Sequence, residues 1–274
     1  MTSAEKSENR FEKDAERYAT YLETPEGRLR ADLAFANVQE LLPVTTGERP
    51  LRALDLGCGT GTTAIRMARL GIHVTLLDSS ASMLALAEHA AVEAGIRDRV
   101  TVKHREAPNL AEVFPGESFD IVLCHNLLEY VEDPGEVLCG AARVLRDSAG
   151  VLSVLVRNQA GDVMKAALRA GDLAAAESTL TAEWGQETLY GGKVRLFTPG
   201  LLEAILKDAG LIIRARRGVR VVADYLPSQI ARAGEYERIF ALERRLGERG
   251  EFFGIARYLQ CFAIRAGARS EGKR

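Results

Sequence analysis

The sequence predicts an α/β protein built on a single doubly wound, mostly parallel sheet of seven strands. Short apolar, β-branched segments alternate with segments of helical spacing between residues 51 and 156. Glycines follow the helical segments at Gly71, Gly95 and Gly150, where helices commonly end. The first strand runs directly into a glycine-rich loop, an arrangement typical of α/β sheets that bind ligands at the carboxyl ends of their strands.

Strands and helices are predicted in alternation, with further segments beside the sheet, all within one domain of residues 1–274. Residues 1–50 are expected to form a helical cover, interrupted at 24–27, and 157–197 a helical insertion over the substrate side. The basic tail 265–274 has too few apolar groups to pack. The strands are expected at 51–56, 72–77, 100–104, 118–124, 151–156, 211–217 and 254–264, and the main helices at 62–70, 82–94, 133–145, 199–209 and 228–248.

Composition excludes several classes of protein. The 274 residues are 47% hydrophobic, enough for a sizeable core, and a net charge of −2 gives no basic composition of the kind that signals nucleic-acid binding. The cysteines form no Cys-x-x-Cys pair, so we expect no metal and no disulfides, and a cytoplasmic setting. The polar N-terminus is no signal peptide, and no apolar run approaches the ~20 residues of a membrane span.

The glycine loop has the pattern Asp-x-Gly-x-Gly-x-Gly, formed by Asp55, Gly57, Gly59 and Gly61. Glycine is needed where the backbone takes a positive φ or where a ligand presses against it. The third glycine of a dinucleotide fingerprint would fall on Thr62, and the lysine of a phosphate-binding P-loop is absent. A tight structural turn is the alternative explanation.

This pattern resembles the first motif of the class I S-adenosylmethionine-dependent methyltransferases. The resemblance implies a Rossmann-like sheet whose last strand runs antiparallel between the fifth and the sixth. It also implies an enzyme whose glycine loop wraps the methionine half of S-adenosyl-L-methionine, with Asp55 facing the amino group of that cofactor.

The second predicted strand ends in Asp78, seventeen positions after Gly61. An acid at the tip of this strand faces the first loop, and a carboxylate can accept hydrogen bonds from both hydroxyls of a ribose. The alternative role of Asp78 is to cap the following helix, and both roles can coexist. Ser79 and Met83, at the start of that helix, are further candidate cofactor residues.

Other candidates follow from position along the chain. Arg30, on the second N-terminal helix, is either a surface arginine or the group that binds the cofactor carboxylate. Ala107 and Pro108 follow the third strand, where they either wall the adenine or form a plain loop. His125, after the fourth strand, lines the cofactor, acts as a base, or packs. No Asn-Pro-Pro-Tyr stretch is present, which disfavours methylation of base amino groups.

Several segments together resemble the bacterial tRNA 5-carboxymethoxyuridine methyltransferases, namely 27–30, 124–130, 158–161, 218–226 and 256–258. The resemblance implies methylation of the carboxylate of a modified wobble uridine, with tRNA as the partner. Cys58 and Thr60 follow the general methyltransferase pattern, where that family favours a more glycine-rich loop. Cofactor contacts are implied at Arg30, Gly57, Cys58, Asp78, Ala107, Pro108 and His125.

A carboxylate acceptor is already a nucleophile and needs no general base, so orientation supplies most of the catalysis. We expect Arg220 to hold one oxygen of this acceptor, and Tyr225 and Tyr258 to stack on its base, with core packing as the alternative for the tyrosines. Six arginines, at 214, 216, 217, 220, 232 and 257, are candidates for one basic face. Alternatively they are solvated, or paired with Glu235, Glu237 and Glu243.

Two other functions remain open from the sequence. One is methylation of a small molecule of natural-product or quinone type, which a pI near 6.2 slightly favours because RNA binding usually depends on phosphate contacts. The other is a binding protein that kept the cofactor site without methyl transfer.

Overall fold

A seven-stranded sheet organises the computed structural model, which describes residues 14–42, 49–108, 110–115, 119–147, 149–187, 189, 191–226 and 234–266. The strand order is β3-β2-β1-β4-β5-β9-β8, and a separate two-stranded hairpin pairs β6 with β7. The strands are β1 Arg52–Leu56, β2 His73–Asp78, β3 Val100–His104, β4 Ile121–His125, β5 Val151–Arg157, β6 Trp184–Gln186, β7 Lys193–Arg195, β8 Leu211–Val219 and β9 Tyr258–Arg265.

The register brings the carboxyl ends of the central strands to one edge. Leu56 at the end of β1 is opposite Leu77 in β2 and Cys124 in β4, all in parallel pairing. β9 is antiparallel to both β5 and β8, which confirms the predicted reversal. Residues that follow β1, β2, β4 and β5 are therefore neighbours in space.

Helices cover both faces and the carboxyl edge of this sheet. Large apolar clusters fill the two faces, and a third, smaller cluster joins Leu29 and Leu33 to Val219 and Tyr258 at the edge. The helices are α1 14–23, α2 Pro25–Glu40, α3 Thr62–Arg69, α4 Ala81–Glu93, α5 Leu110–Val113, α6 Pro134–Val144, α7 Gln159–Met164, α8 Leu173–Thr179, α9 Pro199–Asp208, α10 Tyr236–Gly247 and α11 Gly250–Phe253.

The predicted interruption of the N-terminal helices is the cap of α2. The Thr24 hydroxyl accepts from the Gly27 amide at 3.1 Å, and Pro25 occupies the first turn, where its missing N–H costs nothing. The segments 1–13, 227–233 and 267–274 lie outside the described residues. They include parts of the predicted cover, of the helix at 228–248 and of the tail.

Two predicted strand boundaries are wrong. The last strand begins at Tyr258 instead of 254, because residues 254–257 form the turn that leads from α11 into the strand. The fourth begins at Ile121, three residues later than expected, while Phe119 makes only an isolated bridge to Leu145.

The insertion 157–197 contains more structure than its sequence pattern predicts. After α7, the chain continues through a π-helical turn, Lys165–Ala170. After α8, two short strands pair to form the β6–β7 hairpin. Gly161 lets α7 approach the start of β9, since a Cβ there would lie 2.7 Å from the Cα of Arg257. Asn158 secures this contact by donating to the carbonyl of Ala256 at 2.7 Å.

The loop after β8 is held by one buried carboxylate. Glu243, fully buried in α10, accepts from the backbone amides of Val221, Val222 and Ala223 at 2.6, 2.9 and 2.6 Å. The residue before them, Arg220, has a positive φ of 60°. The three hydrogen bonds therefore fix a strained loop that begins with Arg220.

We expect Glu243→Gln to lower the free energy of unfolding by about 1–3 kcal/mol, because one acceptor oxygen becomes an amide group facing backbone donors. Denaturant unfolding measures the difference. Glu237→Gln, at an exposed position of the same helix, is the control and should change stability by under about 1 kcal/mol. Equal stability of the Glu243 variant and the wild type would contradict the assigned role.

Candidate active site

Two adjoining cavities open at the carboxyl edge of the sheet, beneath α1 and α2. The larger has a volume of about 570 Å³ and the smaller about 50 Å³, and Tyr18, Arg30, Gly57, His125 and Asn126 line both. Of the predicted cofactor residues, the larger cavity is lined by Arg30, Gly57, Gly59, Asp78, Ser79, Met83, Ala107 and His125, and the smaller by Arg30, Asp55, Gly57, Cys58 and His125.

The glycine loop has the conformation that its sequence predicts. Gly57, Gly59 and Gly61 have φ values of 63°, 52° and 72°, a region that side chains other than glycine rarely adopt. Gly61 lines neither cavity; a Cβ there would lie 3.0 Å from the Cβ of Ala87, so this glycine serves the start of α3 and its packing. The first two glycines border the ligand space.

Asp78 ties the glycine loop to the second strand. One carboxylate oxygen accepts from the Gly59 amide at 2.8 Å, and the other accepts from the Ser80 amide at 2.9 Å. The N-cap of α4 is Ser80, whose hydroxyl accepts from the Met83 amide, so the capping role considered for Asp78 belongs to Ser80. A carboxylate has about four acceptor positions, which leaves capacity for ribose hydroxyls on the cavity side.

Asp55 is an acid buried beside the smaller cavity. It is 4% exposed, and burial, reinforced by the negative charge of Asp78, raises its pKa to about 8. A carboxyl group in this state needs a cation to stabilise its ionised form. The amino group of a bound cofactor would supply that cation.

Arg30 faces both cavities from α2 and is surrounded by aromatic rings. Its guanidinium carbon lies 5.9, 5.2 and 5.7 Å from the ring centres of Tyr18, Tyr21 and Tyr258, and one nitrogen donates to the Tyr18 hydroxyl at 3.0 Å. It is 8% exposed, so the surface alternative is wrong. The rings hold its planar face and direct its edge toward an anion.

His125 is neutral, which decides against one of its three possible roles. Burial, together with the positive charge of Arg30, lowers its pKa to about 3. A base this weak removes protons poorly near neutral pH. The ring lines both cavities, which favours cofactor contact.

Around the adenine position, Ala107 is buried and borders the larger cavity, whereas Pro108 lines neither. Ser79 and Met83 border the larger cavity from the start of α4. Of the two residues predicted to wall the adenine, one therefore borders a cavity, and its contact with adenine stays a prediction.

The predicted substrate residues separate into two groups. Arg220 and Tyr258 line the larger cavity, while Tyr225 does not, and its hydroxyl lies 3.4 Å from the Gly161 carbonyl. Arg220 forms a buried ion pair with Asp224. Arg220 and Arg257 both lie near the aromatic ring of Tyr258. Both guanidinium carbons lie 5.9 Å from the centre of Tyr258.

The cations change the acidity of Tyr258. Burial alone would raise the pKa of its phenol, but Arg30, Arg220 and Arg257 together lower it. Arg257 also forms an ion pair with Asp162, which accepts from Arg157 at 2.9 Å. The deep end of the cavity is thus a set of buried cations around one phenol.

The six arginines considered for one basic face do not form one. Arg214 is exposed, and Arg232 lies outside the described residues. The others divide into β8 residues paired with surface carboxylates (Arg216 with Glu203, Arg217 with Glu40) and cavity residues (Arg220 and Arg257).

Sequence reasoning did not assign several residues that line the cavity. Asn126 follows β4 and Arg157 ends β5, so the rule that identified Asp78 at the tip of a strand would have found both. Asn126 also has a positive φ of 53°, which no sequence pattern reveals. The others are Tyr18, Tyr21, Thr24, Glu26, Leu77, Arg105, Leu127, Tyr130, Lys165, Arg169, Glu187, Leu189, Asp224 and Arg257.

Comparison with known proteins identifies the class. Residues 54–153 match the family described as "Methyltransferase domain". A possible histamine N-methyltransferase of Thermotoga maritima, described as S-adenosylmethionine-dependent, superposes with a TM-score of 0.61 at 20% identity, covering 94% of this chain and 99% of that one. The fold and the site define a class I S-adenosylmethionine-dependent methyltransferase, and the chain belongs to this family.

Among relatives, the tRNA 5-carboxymethoxyuridine methyltransferase of Escherichia coli (strain K12) is 31% identical over 247 residues, covering 88% of this chain and 89% of that protein. The ubiquinone biosynthesis O-methyltransferase of Hahella chejuensis is 38% identical over 108 residues, covering 39% of this chain and 44% of that protein. The first similarity extends through most of both chains, and the second is confined to a shorter part.

S-adenosyl-L-methionine is the cofactor of this class, and the residues fit it. Asp55 is a buried acid and Arg30 a buried cation on the smaller cavity, and Asp78 lines the larger cavity, which Arg30 also borders. No cluster of side chains that could hold a metal ion occurs within the described residues. None of the described helices is long and apolar enough to cross a membrane.

We expect Asp55→Asn to stabilise the cofactor-free protein while weakening cofactor binding. The wild type must keep Asp55 protonated or bury its charge once pH exceeds the ordinary carboxyl pKa of about 4. The advantage of the Asn variant should therefore grow between pH 4 and pH 8, by about 1.4 kcal/mol per pH unit and so by several kcal/mol in all, and then level off.

Thermal unfolding at several pH values measures this difference, and calorimetry with S-adenosylhomocysteine measures the affinity. Asp98→Asn, at an exposed position, is the control. A stability difference independent of pH, or unchanged affinity, would contradict the state assigned to Asp55.

For Arg30, replacement by lysine should weaken S-adenosylhomocysteine binding about tenfold or more, since an ammonium lacks the planar fork that binds a carboxylate bidentately. Isothermal titration is the measurement. The matched control is Arg28→Lys, an exposed arginine of the same helix. Wild-type affinity in Arg30→Lys would remove the guanidinium from the cofactor site.

Proposed function

We propose that this protein methylates the carboxylate of 5-carboxymethoxyuridine at the wobble position of tRNA. The observation that carries the proposal is the buried pair Arg220 and Arg257, each 5% exposed, whose guanidinium carbons both lie 5.9 Å from the centre of the Tyr258 ring in the larger cavity. Buried guanidinium groups at the end of a ligand cavity favour an anionic ligand, and their planar forks match a carboxylate.

Arg220 has hydrogen-bonding capacity to spare. Its Nη1 makes only a long contact, 3.4 Å, with the Glu26 carbonyl oxygen, while Nη2 pairs with Asp224. The Asp224 charge holds the pKa of Arg220 above its ordinary value against the effect of burial. A guanidinium fixed by Asp224 can bind one oxygen of an acceptor carboxylate and leave the other oxygen to react.

The charge of the whole cavity supports an anionic acceptor. Seven basic side chains line it, against four acidic ones. The excess is local, because the chain as a whole carries a net charge of −2. The basic set is Arg30, Arg105, Arg157, Lys165, Arg169, Arg220 and Arg257, and the acidic set is Glu26, Asp78, Glu187 and Asp224.

The chemistry requires no proton transfer by the protein. The bound cofactor supplies an electrophilic methyl: the acceptor oxygen forms the new O–C bond, the C–S bond breaks, and its electron pair stays on sulfur. An ionised carboxylate has no proton to lose, and the neutral His125, with a pKa of about 3, is suited to contact and not to base catalysis. Orientation between Arg220 and Tyr258 then supplies most of the rate.

Features near the opening of the cavity suit a nucleotide. Lys165 and Arg169 lie on the π-helical turn after α7, and Arg105 follows β3. Backbone phosphates flanking an unpaired base would meet these cations. Tyr258 and Tyr130 offer aromatic surfaces for the base itself.

The relatives support the same substrate. The similarity to the Escherichia coli tRNA enzyme extends over 247 residues, well beyond residues 54–153 that match the general methyltransferase family. A quinol-type acceptor is the second candidate, motivated by the match to a ubiquinone biosynthesis O-methyltransferase. A phenol-like hydroxyl must lose a proton during methyl transfer, and the low pKa of His125 makes that residue a poor base for it.

The double variant Arg220→Asn/Asp224→Asn tests the carboxylate site. It removes both charges of the pair, and asparagine tolerates the positive φ at position 220. We expect turnover on tRNA containing 5-carboxymethoxyuridine to fall at least tenfold, roughly 1.4 kcal/mol, with cofactor affinity retained.

The control is Arg216→Ala, which removes an exposed β8 arginine paired with Glu203. Normal turnover in the double variant, or an equal loss of cofactor binding, would remove Arg220 from the acceptor site. Turnover of a quinol but not of the tRNA by the wild type would favour the second candidate.

A further inference from the structure

A chain of buried hydrogen bonds connects α2 to His125 through two strands, and the proposed chemistry does not use it. Gln260 in β9 donates from Nε2 to the Ala34 carbonyl at 3.2 Å and to Ser153 Oγ at 3.1 Å. Ser153 Oγ, in β5, lies 2.8 Å from His125 Nε2. Gln260 is fully buried and Ser153 is 1% exposed, so water does not compete for these groups.

The donor and acceptor roles in this series of hydrogen bonds can be assigned from the Ala34 carbonyl at its α2 end. A backbone carbonyl only accepts, so Ala34 requires the amide nitrogen of Gln260 to point toward it and toward Ser153. Asn37 supports this orientation, since its Nδ2 donates to Gln260 Oε1 at 2.8 Å. Ser153 Oγ therefore accepts from Gln260.

The hydroxyl of Ser153 has one hydrogen left to donate. Within the described residues its partners are Gln260 and His125, so this hydrogen is directed to His125 Nε2. A neutral imidazole that accepts at Nε2 carries its own proton on Nδ1. The network thus selects one tautomer of His125.

The Nδ1–H of His125 has no acceptor among the described residues, while the ring borders both cavities beside Arg30. On the same small cavity lies the acid Asp55. Two donors and an acid on one cavity match a zwitterion, with its carboxylate toward Arg30 and His125 and its ammonium toward Asp55.

We propose that Ser153 and Gln260 are positioning residues that hold His125 in its Nδ1–H tautomer, so that His125 donates with Arg30 to the carboxylate at the amino-acid end of the cofactor. The assignment concerns the cofactor alone and does not depend on which acceptor is methylated. A His125 with its proton on Nε2 would present a lone pair to that carboxylate and repel it.

The first test reads the tautomer directly. In protein with ¹⁵N-labelled histidine, the ring resonances of His125, assigned with His125→Gln, should show a protonated Nδ1 and an unprotonated Nε2 at neutral pH. Ser153→Ala should introduce the other tautomer. A wild-type His125 with its proton on Nε2 would overturn the proposal.

The second test separates positioning from general stability. We expect Ser153→Ala to weaken S-adenosylhomocysteine binding about threefold to tenfold, the range expected for one weakened hydrogen bond to a charged group. Its affinity for 5′-methylthioadenosine, which lacks the amino-acid end, should not change. Ser178→Ala, at an exposed serine, is the control, and Asp78→Ala should weaken both ligands.

Equal losses for both ligands in Ser153→Ala would reduce Ser153 to a structural role, and unchanged affinity for S-adenosylhomocysteine would also overturn the proposal. If Ser153→Ala lowers the melting temperature strongly, Ser153→Cys keeps the volume and replaces the hydroxyl by a weak donor. The same difference between the two ligands is then expected.

Discussion

The site depends most on the two hydrogen bonds that the Asp78 carboxylate accepts from backbone amides. This carboxylate joins the glycine loop after β1 to the start of α4 by accepting one backbone hydrogen bond from each. The contact with Gly59 exists because the parallel register places the ends of β1 and β2 side by side, whereas the contact with Ser80 is local, two residues along the chain. A single side chain therefore fixes the loop conformation and at the same time lines the larger cavity.

Buried charge shapes the rest of the cavity. Arg220 and Arg257 are each paired with a carboxylate from a neighbouring segment, because an isolated buried charge would cost several kcal/mol. These pairings come from the loop after β8 and from the insertion, so elements far apart in the chain combine at Tyr258. The loop is fixed in turn by Glu243. This charged part of the cavity thus depends on segments outside the central sheet, where methyltransferases of one fold can differ.

The sequence was sufficient for the sheet, and most of the predicted cofactor residues line one of the two cavities. Asp55, Gly57 and Asp78 follow from a rule of parallel sheets, that residues at the carboxyl ends of neighbouring strands meet. No comparable rule locates Tyr18 or Lys165, because the approach of α1 and of the insertion depends on long-range packing. The Gly161 contact with Arg257 is such a case, and its partners are separated by most of the C-terminal half.

The local sequence pattern also did not determine which charged and aromatic side chains reach the cavity. Tyr225 and Tyr258 looked alike in the sequence, yet only Tyr258 reaches the cavity. In the sequence, the arginines of β8 form one basic segment. In the structure they face different environments, because side chains alternate along a strand and a bulge lies near Ile213. Side-chain direction at the end of a strand depends on the turn that follows, as the positive φ of Arg220 illustrates.

The central claim is that the site transfers a methyl group to a carboxylate. Mass spectrometry of nucleosides from tRNA carrying 5-carboxymethoxyuridine, after incubation with the protein and S-adenosyl-L-methionine, tests it most directly. We expect that nucleoside to gain one methyl group. Mild alkaline hydrolysis should then remove the methyl group, as expected of an ester. A methyl group that survives alkali, or one found on another nucleoside, would contradict the account, as would no methylation of this tRNA.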